Sequence, residues 1–391
     1  MKPKKLVPGV YAVGAKDPKR RIFDALIPLP RGTSYNSYLI KAQKTALIDT
    51  VNPGFENILE QNINSVVNLA DIDYIIMNHA EPDHAGALPF VLSKNKKAVV
   101  YCTAKGSELA QKFHGVPLER IKIVKEGDTV DLGGKTLKFI DAPWLHWPET
   151  MFTYLVEDKI LFPCDFFGAH TAEGFSEDDV PEIISYAKEY FGEIMMPFSI
   201  MGKKAIEKLA NYEIRMIAPS HGPIYKNPAL ILDKYKDWTA GKTSKKAIIV
   251  YVSMWKYTSS MLKIVEDTLK KEGVEVVSYD LAVGDMGKLA ADLVDSRAIV
   301  VGSPTLLGGI HPLVTYAASI VKALKPPIKY AAVLGSYGWS GSAVRQTADF
   351  FQGTKIEAVG TFESSGLLSE EDKVKINSLG KLLAEKINKS E

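Results

Sequence analysis

The chain has two cysteines, Cys102 and Cys164, among 391 residues. That scarcity excludes a disulfide framework, a four-cysteine zinc site and a cysteine-ligated iron–sulfur or rubredoxin site on these residues. Net charge is nearly absent as well. Lys plus Arg (48) against Asp plus Glu (46) leaves +2, so the charge balance favours neither nucleic acid nor an anionic membrane as a partner. No uninterrupted apolar run approaches the ~18 residues of a membrane span. The opening Met1-Lys-Pro-Lys-Lys leads into Leu-Val-Pro-Gly rather than an apolar stretch, so no signal peptide is expected. Short internal repeats and low-complexity tracts are missing too. What is there, 46% hydrophobic and 24% charged residues, fits a globular, cytoplasmic protein. The length suits two domains better than one core.

Up to about residue 240 the apolar runs are short and punctuated by turns. Runs at 37–40, 45–48, 74–77, 98–101, 136–139 and 152–156 have the length and β-branched content of strands, with helices expected over 178–190 and 203–209. The small, polar and basic stretch 239–246 has little to bury, and the boundary is placed there, giving domains 1–243 and 244–391. Beyond it strands at 247–252, 274–279, 298–301, 330–334 and 356–359 alternate with helical patterns at 260–272, 288–294 and 370–389. Strand, loop and helix repeated about five times predict a parallel sheet covered on both faces.

The densest chemistry is Asn78-His79-Ala80-Glu81-Pro82-Asp83-His84-Ala85-Gly86, directly after an apolar strand. Four possible metal ligands fall within six positions on a loop leaving a strand end, where alternate side chains converge on one point. Three more groups follow predicted strands: His146 in Pro143-Trp-Leu-His-Trp-Pro148, Asp165 after the apolar run 160–164, and His221 in Pro219-Ser-His-Gly222. Four histidines and three carboxylates suffice for two metals that share a carboxylate. A lone histidine is ordinarily a satisfied polar residue, and His114 and His311 are read that way.

The string HxExDH, followed in order by His146, Asp165 and His221, resembles the metallo-β-lactamase fold, an αββα sandwich with a dinuclear site between the sheet edges. Hydrolases of that superfamily usually carry HxHxDH. Glu81 in place of the second histidine is similar to the flavodiiron proteins, and a harder, more anionic ligand set favours iron over zinc. The resemblance implies one iron held by His79, Glu81 and His146, the other by Asp83, His84 and His221, with Asp165 bridging. It also implies a non-ligating histidine near the open face, His170, that donates a proton or hydrogen bond to bound gas, and an aromatic, Trp147, where a partner's flavin approaches.

In the second half, Ser253-Met-Trp-Lys-Tyr-Thr-Ser-Ser260 is a hydroxyl-rich loop opening a helix, which presents N–H groups and hydroxyls to a phosphate. It lacks the glycines of a Walker loop or of GxGxxG. It resembles the phosphate loop of flavodoxins, with Val252 and Lys256 as departures that alter local charge. The next two strand ends carry Gly302-Ser-Pro-Thr-Leu-Leu-Gly-Gly309 and Gly335-Ser-Tyr-Gly-Trp-Ser-Gly341. Glycines admit a flat ligand, Tyr337 and Trp339 can stack on it, and ligands of such sheets lie beyond the strands' carboxyl ends. Ser253, Met254, Trp255, Tyr257, Thr258, Ser303, Pro304, Thr305, Leu306, Gly309, Ser336, Tyr337, Gly338, Trp339 and Gly341 are therefore the expected FMN contacts.

The resemblance spans essentially the whole chain. It implies an N-terminal αββα metallo-β-lactamase-like sandwich, a C-terminal flavodoxin-like doubly wound sheet, two Fe and one FMN, and reduction of dioxygen to water, nitric oxide to nitrous oxide, or both. Electrons are expected from an external donor such as a rubredoxin, a deazaflavin coenzyme or an NADH-linked reductase. No rubredoxin or reductase module is expected after the last helix. Because iron and flavin sit on separate domains, a head-to-tail homodimer or a dimer of such dimers is expected, with Glu81 and Trp147 near the junction. The rival reading is a zinc hydrolase of the glyoxalase II type fused to a flavodoxin-like domain, against which Glu81 argues.

Overall fold

The computed structural model describes residues 3–390. Two compact units divide the chain, Met1–Thr239 and Ala240–Glu391. In the first unit, one sheet orders its strands Lys4–Val7, Val10–Ala12, Tyr38–Lys41, Thr45–Ile48, Tyr74–Ile76, Val99–Cys102, Ile121–Ile123. The second orders them Thr129–Asp131, Thr136–Asp141, Met151–Leu155, Ile160–Phe162, Met216–Ile217. Side chains of a strand alternate between faces, and the sequence uses both. Tyr38, Ile40, Ala46, Ile48 and Ile76 pack against Leu137, Phe139, Met151, Leu155 and Phe162 of the other sheet, forming the layer between the sheets. Their neighbours Leu39, Leu47 and Ile75 face outward onto Leu59, Ile63, Leu88 and Val91 of helices Glu56–Asn64 and Leu88–Lys94. Outside the second sheet, Phe152 stacks on Phe166 at 5.7 Å, and Phe166 meets Tyr235 of helix Ala229–Thr239 at 4.8 Å. Helix, sheet, sheet, helix is the resulting layering.

The second unit orders its long strands Glu275–Asp280, Lys246–Tyr251, Ala298–Leu306, Tyr330–Tyr337, Glu357–Ser365, all four pairings parallel. This is the 2-1-3-4-5 order of flavodoxin-like sheets, with its switch point between the first and third strands in sequence. Ala247, Ile249, Val300 and Leu334 pack on helices Tyr257–Lys271 and Glu370–Lys389. Ile248, Val250, Ile299 and Val301 are equally buried, which is why these strands read as unbroken apolar runs rather than alternating ones.

Two elements differ from the sequence reading. The helix expected over 178–190 starts at Ile183 instead. Pro181 disfavours helical backbone at Val180, which sits at φ −134°, and Ser176 with Asp179 closes a separate capped turn over Glu177–Asp179. The helix then runs on through a wider turn, Phe191–Met195. In the second unit the glycine-containing segments continue as strand: Ser303 pairs with Gly335 and Pro304 with Ser336. Glycine is required at 302, where a Cβ would stand 2.5 Å from Leu262 Cδ1 and 3.0 Å from Tyr251 Cβ. No helix is long and apolar enough to cross a membrane among the described residues.

Candidate metal centre and flavin cleft

Pro82 splits the HxExDH string in two. It takes the first position of the one-turn helix Pro82–Ala85, where its missing N–H costs nothing, so Asp83 and His84 ride on the helix while His79 and Glu81 precede it, Glu81 on extended backbone. The loop is pinned on both sides. Asp49 accepts the Asn78 backbone N–H at 2.8 Å and its amide at 3.1 Å, Thr153 donates to Asn78 Oδ1 at 2.7 Å, and the Thr50 N–H and hydroxyl both donate to the His84 carbonyl, at 2.6 and 2.7 Å. Asp165 comes from the turn after strand Ile160–Phe162, where Cys164 and Phe167 adopt left-handed φ of 51° and 73°. Such backbone costs about 1–3 kcal/mol per residue. Packing holds it, since Phe166 and Phe167 both wedge against Tyr235, at 4.8 and 4.6 Å.

The seven side chains singled out by the motif converge as two groups around Asp165. On one side Glu81 Oε2 lies 3.1 Å from Nε2 of both His79 and His146, and Asp165 Oδ2 lies 3.5 Å from the same two nitrogens. On the other, Asp83 lies 3.2 Å from Nε2 of both His84 and His221, and Asp165 Oδ1 lies 3.0 and 3.3 Å from them. Five of the seven side chains are buried, and those of Glu81 and His146 are 12% and 13% exposed. Burying carboxylates is costly unless they are paired or bind metal. Yet among the described residues both oxygens of Asp83 and of Asp165 have no hydrogen-bond partner. Two sets of nitrogen and oxygen atoms converging on orphaned carboxylates fit two cations. The histidines and carboxylates also stabilise each other's charge: burial would push Asp165 up, but His84, His221 and His79 hold it well below the carboxylate range. Burial would lower His221, but Asp165 and Asp83 raise it to about 10.

Behind the ligand groups stand residues that the sequence reading did not single out. Glu149 Oε1 accepts from His79 Nδ1 at 2.7 Å and from the Ala80 N–H at 2.9 Å. The Ser34 carbonyl accepts from His221 Nδ1 at 2.6 Å. Thr33 Oγ1 lies 3.0 Å from His170 Nδ1. His170 is buried, 4.9 Å ring to ring from His221 and likewise from Phe23, with Nε2 unpartnered. Burial and His221 hold it well below the histidine range, hence neutral. Trp147 stands edge-on to His79 at 5.1 Å. His114 donates from Nε2 to the Ala80 carbonyl at 2.7 Å, and His311 caps helix Pro312–Leu324, accepting from the Leu313 N–H at 3.2 Å. Both are satisfied polar residues.

In the second unit a cleft of about 320 Å³ opens at the carboxyl ends of the central strands. Met254, Trp255, Tyr257, Pro304, Thr305, Leu306, Ser336, Tyr337, Gly338 and Trp339 line it, joined by Leu307, Gly308 and Ser340, which the sequence reading omitted. Trp255 and Trp339 are 76% and 95% exposed, an apolar surface that a flat aromatic ligand would cover. Five expected contacts are not part of this lining. Thr258 and Ser336 bond hydroxyl to hydroxyl at 2.8 Å, Ser253 Oγ accepts from the Ser259 N–H at 3.2 Å, and Ser303 Oγ accepts from the His311 N–H at 3.1 Å. Gly309 pairs with Leu306, and Gly341 packs so closely on Glu363 that a Cβ would lie 2.2 Å from its carboxylate.

A family model described as "ODP family beta lactamase" matches residues 33–222. The "Nitric oxide reductase" of Moorella thermoacetica is 37% identical to this chain, over 91% of each. The flavodiiron protein from Giardia intestinalis is 34% identical, covers 99% of this chain and 97% of its own, and superposes with a TM-score of 0.93. The chain belongs to the flavodiiron protein family. Rubredoxin oxygen:oxidoreductase from Desulfovibrio gigas, 29% identical over 99% of both chains, superposes with a TM-score of 0.95. Membership of the flavodiiron family accounts for both halves at once: a lactamase-like sandwich that gathers carboxylates and histidines, and a flavodoxin-like sheet with an aromatic-lined cleft at its strand ends. The residues missed in the sequence, Glu149, Thr33 and Ser34, lie outside the motif spacing. Only Glu149 carried a signal, as a carboxylate three positions after His146.

Proposed function

We propose that this flavodiiron protein is an oxidoreductase that reduces dioxygen to water, nitric oxide to nitrous oxide, or both, with electrons delivered through FMN. The observation that supports this most is Asp165, a buried carboxylate whose two oxygens face separate groups of histidine nitrogens and carboxylate oxygens. In this reading His79, Glu81 and His146 hold one iron, Asp83, His84 and His221 the other, and Asp165 bridges. Glu81, in place of a histidine, hardens the set toward iron. Bound there, the metal pair would supply two electrons and adjacent coordination positions for the gas, and reduced FMN two electrons more. The chain's own part is orientation and exclusion. Asn78, Asp49 and Thr50 fix the ligand loop, the buried walls keep bulk water out, and His170, neutral with Nε2 unpartnered, offers a hydrogen bond beside His221.

FMN is assigned to the cleft of the second unit, with its ring against Trp339, Tyr337 and Trp255 and its phosphate toward the loop of Ser253 and Thr258. The functional domains are 1–243 and 244–391, meeting in the segment that follows helix Ala229–Thr239. The proposed donor is an external carrier: a rubredoxin, a deazaflavin coenzyme or an NADH-linked reductase. The proposed assembly is a head-to-tail homodimer, or a dimer of dimers, since twofold symmetry makes two flavin-to-iron contacts at once. Purified iron-replete protein is expected to carry two irons and one FMN per chain. After anaerobic reduction it should consume dioxygen or nitric oxide in stopped-flow mixing. Zinc alone, with activity indifferent to iron removal, would replace this reading with a hydrolase. Co-expressing a chain changed at His79→Ala and Asp165→Ala with one changed at Ser253 and Thr258 should restore one working site per heterodimer.

A further inference from the structure

The two ligand groups differ in what stands behind their histidines. His221 Nδ1 meets a neutral backbone carbonyl, Ser34, at 2.6 Å. His84 Nδ1 has no hydrogen-bond partner among the described residues. His79 Nδ1 meets a carboxylate, Glu149, at 2.7 Å. Because His79 Nε2 faces Glu81 and Asp165, the ring must present its Nδ1–H to Glu149. That contact fixes both tautomer and ring orientation.

Glu149 is itself well placed for this. It is 2% exposed, ending the segment before strand Met151–Leu155. Its carbonyl accepts from the Thr103 hydroxyl at 2.9 Å, and Thr103 caps helix Ala104–His114 by accepting from the Gly106 N–H at 3.0 Å. Its Oε1 takes a second bond from the Ala80 N–H, while Oε2 has no partner. A buried anion with half its bonding capacity unspent therefore sits one imidazole away from only one of the two groups. Charge on the far side of an imidazole raises its basicity and its strength as a ligand, and in a buried setting that field is weakly screened.

We propose that Glu149 is a positioning residue that acts through His79 to make the metal held by His79, Glu81 and His146 harder to reduce than its neighbour. This rests on the proposed two-iron reading. Glu149 breaks the near-symmetry of the pair and sets the order in which the two metals take up electrons.

The test is a redox titration of the iron-loaded, full-length protein, followed by electron paramagnetic resonance of the half-reduced pair, for the wild type and Glu149→Gln. Glutamine keeps an acceptor for His79 and Ala80 and removes the charge. The variant should retain two irons. The second of its two one-electron steps should move up toward the first, shrinking the equilibrium constant that separates them about tenfold, or 59 mV for a one-electron couple. The half-reduced signal at its maximum should fall accordingly. Steps that stay where they are, or move together by the same amount, would overturn the inference. So would loss of iron from Glu149→Gln, because Glu149 would then hold the site together rather than bias one metal. A wild type that binds no iron pair would instead refute the functional reading on which this rests, and take this inference with it.

Discussion

At the scale of single residues, Asp165 and His79 make opposite demands on the same cluster. Asp165 turns one oxygen to each group of donors, whereas His79 turns its Nε2 to Glu81 and to the one Asp165 oxygen on that side. Asp165→Ala is therefore expected to lower iron content from two per chain to well under one, since both positions lose a ligand. His79→Ala should leave the position of Asp83, His84 and His221 its full set, and retain close to one iron. Iron assays on desalted protein distinguish the two; equal losses would mean that the positions fill as a unit. His170 touches Thr33, Phe23, Tyr190 and His221 but stands outside both groups. His170→Leu should keep two irons and change turnover with dioxygen or nitric oxide.

At the scale of elements, the second unit depends on one buried ion cluster and one missing side chain. Lys246 opens the first strand of the sheet, 3% exposed, and reaches Asp292 at 3.0 Å and Asp295 more closely still. Burial alone would lower its pKa, but Asp295 and Asp292 outweigh that and hold it above the ordinary 10.5. A cation raised in the folded state stabilises fully below its unfolded value, and the contribution is lost as pH rises through the folded value. Lys246→Met should therefore cost about 2 kcal/mol at neutral pH. That difference from the wild type should begin to shrink above pH 10.5 and vanish only past the folded value, as followed by urea denaturation across pH. Gly302 is the missing side chain. Gly302→Ala would drive a methyl into Leu262, Tyr251 and Thr258, costing about 1–3 kcal/mol by overpacking, with FMN affinity falling as Thr258 shifts.

At the scale of the whole molecule, two compact units carry two different candidate ligand sites. A ligand that binds only the folded state stabilises it by about 2.7 kcal/mol at a hundred times its Kd. Calorimetry is expected to resolve two transitions. Stripping iron with a chelator should lower the one that reports Met1–Thr239, and adding FMN to flavin-free protein should raise the one that reports Ala240–Glu391. A chelator that lowered both equally would show that the units unfold as one body.

The sequence by itself determined the kind of fold and the inventory of the metal site. Periodicity marks the strands because burial on one face or on both leaves a direct pattern in neighbouring residues, as at 45–48 and 247–252. The ligand string is legible for a similar reason: Pro82 and its spacing act locally, over a single turn. Position 180 was legible too, through Pro181, but the helical periodicity around it pointed the other way. What only the tertiary structure decided are contacts between residues far apart in the chain. Glu149 meets His79 across 70 positions, Ser34 meets His221 across 187, and Thr33 meets His170 across 137. Nothing in local spacing records such pairs, because they are made by the sheets that bring distant loops to a common edge. The same holds for the hold on the cleft loops, where Thr258 bonds to Ser336, Ser303 accepts from His311 and Gly341 packs on Glu363. Residue types and spacing set which chemistry is available, and the packing of two sheets decides which atoms face the metal and which stand behind them.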